Sequence, residues 1–195
     1  ESGQAYRIFD KTLVGDQYVD VTFPESLNKL PSADVVINLA AEHRDDVWPI
    51  SLYDQVNVQG ARNVCNYCRA AGINVVVFTS SVAVYGFAPE GTDETGALDP
   101  FNEYGRTKFA AEEELRKWQA KGDNSLIIVR PTVIFGEGNR GNVFNLFNQI
   151  ASGKFVMVGK GENKKSMAYI GNIVAFLETC IETDQKYGVF NYTDT

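Results

Sequence analysis

Histidine is almost missing from the chain, with His43 alone among 195 residues, and cysteine is scarce at three. A metal centre needs several such ligands at set spacings, so none is expected. Cys65 and Cys68 form a C-x-x-C, but without a second pair and inside a helical stretch they read as part of a helix face. An odd number of cysteines in a chain of this size favours a reducing compartment, the cytoplasm, over a disulfide framework. No apolar run approaches the roughly 20 residues that span a bilayer, and no charged segment followed by an apolar one opens the chain. Dense Lys/Arg runs are missing too. Eighteen basic against twenty-five acidic residues leave a net charge of −7, so nucleic acid is not an expected partner.

What the chain does have is hydrophobic residues, at 44%, enough for one globular domain or one with an appendage. Four short apolar runs, at 6–9, 34–40, 74–80 and 125–129, predict buried strands, because β-branched runs with little alternation suit parallel strands covered on both faces. Between them, 51–71 and 104–121 carry apolar residues at helical spacing and stop at Gly72 and Gly122. Strands alternating with such helices predict a doubly wound α/β sheet of Rossmann type. From Gly136 onward, glycines, asparagines and lysines crowd around a helix-like stretch at 142–152. That change of texture divides the chain into a nucleotide-binding part, 1–135, and a ligand-facing part with a returning strand, 136–195.

Ligands of doubly wound folds bind at the carboxyl ends of the strands. Those ends carry Asp10, then Asn38-Leu39-Ala40-Ala41, then Thr79-Ser80-Ser81, then Arg130-Pro131-Thr132. A carboxylate ending an early strand accepts two hydrogen bonds from a ribose and repels a 2′-phosphate, which makes Asp10 a candidate NAD ligand. The competing reading is a turn aspartate. Ala40 and Ala41 permit close approach of a planar ligand, or simply tight packing.

Tyr104 and Lys108 lie one turn apart on one helix face. A phenol with an ordinary pKa near 10 is a poor base at neutrality, but an adjacent ammonium stabilises the phenolate, and a serine such as Ser81 can hold the substrate oxygen. This is equipment for taking a proton from an alcohol as hydride leaves its carbon. Asn57, in the preceding helix, is suited to holding a water or a backbone carbonyl.

The strings NLAA at 38–41, NVQGARNV at 57–64, TSSVAVYG at 79–86, YGRTK at 104–108 and RPTVIFG at 130–136, in this order, resemble the extended short-chain dehydrogenase/reductases, the NAD-dependent epimerase/dehydratase group. The resemblance implies NAD as cofactor, Tyr104 as base, Lys108 as its tuner and ribose ligand, and Ser81 as partner of the substrate hydroxyl. It places Asp10, Asp20, Val21 and Leu39 to Ala41 around the adenosine half. Asn57, Thr79 and Pro131 join the cofactor side, and Val82, Arg140 and Asn142 the substrate side. Members open with a strand and a glycine-rich, phosphate-binding turn, whereas this chain opens at what resembles their second strand, and the interval from Asp10 to Asp20 is short. Such members also continue past the equivalent of Thr195, so a chain missing both ends is expected. The run Gly136-Glu137-Gly138-Asn139-Arg140-Gly141 fits G-x-G-x-x-G with Glu162 about 20 residues on, but Pro131 separates it from the strand before it, and the resemblance places it by the substrate.

Dehydratases of the group carry Asp-Glu after the serine or threonine. Here Val82 and Ala83 leave no acid to protonate a leaving hydroxyl, so epimerisation or oxidoreduction is expected. Met167-Ala168-Tyr169-Ile170 replaces an arginine-bearing string that touches nucleotide diphosphates. Arg140, Asn142, Lys164 or Lys165 are the alternatives, although the lysines read better as a solvated loop. The strings at 40–47, 51–60, 138–143 and 165–174 resemble a bacterial subgroup that epimerises N-acetylglucosamine on undecaprenyl diphosphate. That resemblance implies surface-polysaccharide synthesis, a homodimer, and peripheral contact with the inner face of the cytoplasmic membrane. A nucleotide-sugar 4-epimerase, a keto-sugar reductase, or a non-catalytic cofactor-binding module are the rival readings. His43 to Asp46 reads as a loop contact or a surface charge cluster before a catalytic group.

Overall fold

The computed structural model describes residues 5–157, 159–162 and 164–194. Three of the four apolar runs become strands: β1 Val35–Asn38, β2 Val75–Thr79 and β3 Ser125–Pro131. With the last strand, β6 Tyr187–Tyr192, they form one parallel sheet in the order β1-β2-β3-β6. The register aligns Asn38 with Phe78, and Phe78 with Ile128, so the carboxyl ends come out on one edge.

Alternate residues of the strands enter two different cores, which is why the runs are apolar throughout. Val76, Phe78, Leu126 and Ile128 face one side. There they meet Ala61, Val64, Cys65 and Cys68 of α3 (Gly60–Ala71) and Ala111, Leu115 and Trp118 of α4 (Glu103–Gln119). Val77, Ile127 and Val129 face the other side, toward Phe176, Leu177 and Cys180 of α6 (Ile170–Glu182). Helices on both faces make this the doubly wound α/β fold expected from the alternation of strands and helices. Cys65 and Cys68 are buried free thiols pushed up to about 12 by burial, as core residues of a helix face.

The helical run from 51 to 71 is continuous but not uniform. A short α2 (Ser51–Tyr53) passes through a π-helical turn, Asp54–Gln59, into α3, which ends at Gly72 in the left-handed region at φ 71°. Past β3 come β4 (Val133–Phe135), α5 (Asn142–Ala151) and β5 (Met167–Tyr169), with β4 and β5 pairing in parallel as a second small sheet. A four-residue helix, α1 (Pro24–Leu27), precedes β1.

The run at 6–9 corrects the sequence reading. It is not a strand and is largely exposed; Asp10 makes a single parallel bridge to Tyr18. A strand exists through its lateral partners, and among the described residues the one bridge here is that of Asp10, just past the segment. Among the described residues, no helix is long and apolar enough to cross a membrane.

Candidate active site

The start of α4 is set locally. Asn102 caps it, accepting a 2.8 Å hydrogen bond from the Gly105 amide, and Glu103 in the first turn complements the helix dipole. Ser81 performs the same service for a 3-10 turn at Val82–Tyr85, accepting from the Ala83 amide at 3.2 Å. Helix and turn then meet face to face. A Cβ on Gly105 would lie 2.4 Å from the Ala83 carbonyl oxygen, so only glycine permits the approach. This brings the Ser81 hydroxyl to the Tyr104 phenol, 23 residues along the chain. Burial raises that phenol above its ordinary value, and the nearby Ser81 hydroxyl draws it partly back.

Lys108, one turn along α4, is buried to 1% exposure, with Nζ 4.3 Å from the centre of the Phe78 ring. Burial lowers it to about 7, with the nearby Glu112 carboxylate opposing. Among the described residues, Nζ has no hydrogen-bond partner, so its donors remain available. Beside Pro131, which is buried at the end of β3, the Thr132 hydroxyl oxygen is likewise buried without a partner.

Sequence reasoning missed what lies behind this pair. Glu112 continues the face of Tyr104 and Lys108 by one more turn and is completely buried. Its carboxylate accepts from Arg130 Nε at 2.9 Å, Arg130 Nη2 at 2.6 Å and Arg116 Nη2 at 2.7 Å. Burial pushes Glu112 up, but the arginines outweigh it and hold the acid below its ordinary value. Arg130 Nη1 also donates to the Tyr85 hydroxyl at 2.6 Å, and that hydroxyl donates to Asn191 Oδ1 on β6 at 2.8 Å. An arginine inside the run SLIIVRP, and a glutamate four residues after a buried lysine, were the signals available; a charge at such positions requires a buried partner.

Asn57 sits in the π-helical turn, buried. It holds the loop after β1 from both sides, accepting from the Glu42 amide at 2.7 Å and donating to the Glu42 carbonyl at 3.0 Å. It also donates to Thr107 Oγ1 of α4 at 2.9 Å. Both amide hydrogens are therefore committed to protein, including the backbone carbonyl anticipated for it. In the stretch around His43, the buried group is Glu42, whose carboxylate pairs with Arg44 and is held down to about 2, chiefly by that hydrogen bond. His43, Arg44, Asp45 and Asp46 are exposed.

The remaining candidates divide between strand ends and outer loops. Asp10 and Asp20 each close an Asp-x-Thr turn, accepting the amide and hydroxyl of Thr12 and Thr22 on Oδ1. Asp10 thus has the turn role that competed with ligand binding, and Oδ2 of each carboxylate takes none of these bonds. The Val21 carbonyl accepts from Asn63 Nδ2 at 2.8 Å. Leu39 is exposed, Ala40 donates to Asn38 Oδ1, and Thr79 Oγ1 reaches the Asn38 carbonyl at 3.4 Å. Val82, first in the Ser81-capped turn, is partly buried. Arg140 and Asn142 are exposed, the first between β4 and α5 and the second at the start of α5. There the G-x-G-x-x-G run follows the small sheet rather than the main one, and its Gly141 amide is taken by Asn139 Oδ1. Lys164 forms an exposed ion pair with Glu90, as a solvated loop would.

Over residues 7–192 the chain matches the model of the NAD dependent epimerase/dehydratase family. It is 54% identical over 182 residues to the N-acetyl-alpha-D-glucosaminyl-diphospho-ditrans,octacis-undecaprenol 4-epimerase of Escherichia coli O157:H7, covering 91% of this chain and 55% of that protein. It is 30% identical to the UDP-glucose 4-epimerase of Vibrio cholerae, covering 78% of this chain and 49% of that protein. Among solved structures it resembles MoeE5 in complex with UDP-glucuronic acid and NAD, with TM-score 0.79, 27% identity, and coverage of 89% of this chain and 61% of that one. The chain spans about half the length of these curated relatives.

Proposed function

The chain belongs to the NAD dependent epimerase/dehydratase family, and from that premise we propose that it is part of an enzyme that inverts C4 of N-acetylglucosamine carried on a polyprenyl diphosphate. One observation carries the chemistry: the turn capped by Ser81 and the first turn of α4 pack backbone to backbone at the carboxyl edge of the sheet, which brings the Ser81 hydroxyl to the Tyr104 phenol and draws that phenol down. The choice of a lipid-linked sugar is supported by the 54% identity to an epimerase of that specificity.

The residues fit NAD. Lys108 is a buried residue whose ammonium makes no hydrogen bond among the described residues and is suited to ribose hydroxyls, and Thr132 presents a buried, unpartnered hydroxyl at the neighbouring strand end. Thr79, Pro131 and the small residues Ala40 and Ala41 would line the cofactor, with Leu39 exposed beside them. Asp10, Asp20 and Val21 would meet the adenosine half, each aspartate through Oδ2. Asn57 would act one step back, by fixing the loop after β1. Held there, NAD would supply reversible hydride acceptance at the sugar carbon, as inversion through a keto-sugar requires.

The chain's own groups move the proton. Ser81 holds the C4 oxygen against Tyr104. Tyr104 takes the hydroxyl proton, and the Lys108 ammonium stabilises the resulting phenolate against the burial that disfavours it. On the return step the same phenol gives the proton back. Val82 and residues 136–195, including Arg140 and Asn142, would form the substrate side, in a homodimer working at the inner face of the cytoplasmic membrane for surface-polysaccharide synthesis.

The test uses the full-length protein with N-acetylglucosamine diphosphate on a short polyprenol, and UDP-N-acetylglucosamine in parallel. The expected result is the C4 epimer of the lipid-linked sugar with no net NADH. Turnover of the nucleotide sugar alone would make the enzyme a nucleotide-sugar epimerase, and stoichiometric cofactor consumption a reductase. Tyr104→Phe is expected to lower turnover by about 10²–10⁴-fold; a loss under threefold sinks the base assignment.

A further inference from the structure

Proton transfer as proposed needs Ser81 and Tyr104 held together from two elements that are not adjacent in sequence. Tyr85 ends the turn that Ser81 caps, and it is buried to 5% exposure. Its hydroxyl accepts from Arg130 at 2.6 Å and donates to Asn191 at 2.8 Å, while the Arg130 guanidinium carbon lies 5.0 Å from the centre of its ring. Arg130 in turn grips Glu112 through two hydrogen bonds, and Glu112 stands two turns beyond Tyr104 on α4. One buried chain of side chains therefore runs from the Ser81 turn to the Tyr104 helix.

The same turn is gripped at its exit. Gly86, at φ 64°, packs so tightly that a Cβ would fall 1.9 Å from the Asp99 carbonyl oxygen. The backbone there cannot shift without moving the loop that leads to Asn102 and α4. From these contacts we infer that Tyr85 is a positioning residue for the reaction, acting through Arg130 and Glu112 to keep the Ser81 turn in register with Tyr104. The inference rests on the epimerase reading.

Tyr85→Phe removes one hydroxyl and keeps the ring under Arg130. In the full-length protein with the lipid-linked substrate, kcat should fall about tenfold, since small misplacements of reacting groups are costly. KM and NAD affinity, measured by titration calorimetry, should stay within about twofold, because the Tyr85 hydroxyl is committed to Arg130 and Asn191. Added to Tyr104→Phe, the change should cost nothing further, as it acts through the same step. A kcat within about twofold of wild type, or a full multiplicative loss in the double variant, overturns the inference. Should Tyr85→Phe not fold, Asn191→Ala interrupts the same hydroxyl from its other side, and unchanged kcat there is equally fatal. If instead Tyr104→Phe itself retains turnover, the base assignment for Tyr104 fails, and absence of the C4 epimer with the unaltered protein would be the failure of the epimerase reading.

Discussion

Helix α4 carries eight charged residues in seventeen, whereas α5 carries none in ten. Yet α4 buries Thr107, Lys108, Ala111, Glu112, Leu115 and Trp118, while on α5 only Val143 is buried and Phe144, Phe147 and Ile150 are exposed. The difference lies in what faces each helix. Helix α4 lies between the sheet, the Ser81 turn and the π-helical turn, and its charges enter because buried Arg130 and Asn57 meet Glu112 and Thr107 from outside the helix, while Arg116 of α4 itself, partly exposed, also pairs with Glu112. Helix α5 meets β4 along one edge, leaving a cavity of about 220 Å³ lined by Ile134, Phe135, Val143, Phe144 and Phe147 among others. Hydrophobicity along a helix describes a capacity for burial; the opposing surface decides whether it is used.

Substitutions on the two helices should therefore behave oppositely to what polarity suggests. The largest effect is expected at the charge. Arg130→Met leaves the buried Glu112 carboxylate with Arg116 alone and should destabilise by about 3–5 kcal/mol in urea unfolding. A loss under about 1 kcal/mol would mean that the pair is dispensable to the fold.

Next comes Lys108. In the unfolded chain this lysine takes its proton below about 10.4; in the fold it does so only below about 7. Between those values the unfolded state binds more protons, so stability falls as pH drops from about 10 to 7 and levels off below. Lys108→Met should abolish that slope and be the more stable protein at pH 7, by something on the order of a few kcal/mol. Parallel stability profiles for the two proteins would refute the buried-ammonium assignment. The smallest effect should come from the apolar helix. Phe147→Ser, at an exposed position, should move stability by no more than about 0.5 kcal/mol, and a larger loss would show that this face is covered.

Much of the site is legible in the sequence. Tyr104 and Lys108 stand out as a pair because a helix puts residues four apart on one face, and Ser81 because strand ends of this fold gather on one edge. Less legible is the loss of the strand expected at 6–9, since an apolar run states a preference without naming a partner. Glu112, Arg130 and Tyr85 escape sequence reasoning for a related reason. Tyr85 is unremarkable within its turn, and the charges at Glu112 and Arg130 signal that a buried partner is needed without naming it.

The sequence alone determined the local elements and the order in which they occur: three strands of the main sheet, the helices between them and the residue types of the site. Tertiary structure decided which charges were inside and what met them. Glu112 and Arg130 are 18 residues apart, and Tyr85 and Asn191 are 106 apart. Helical and strand periodicity reach only a few residues along the chain, so contacts across such distances arise when the sheet closes and a buried charge must find its partner or remain unpaired.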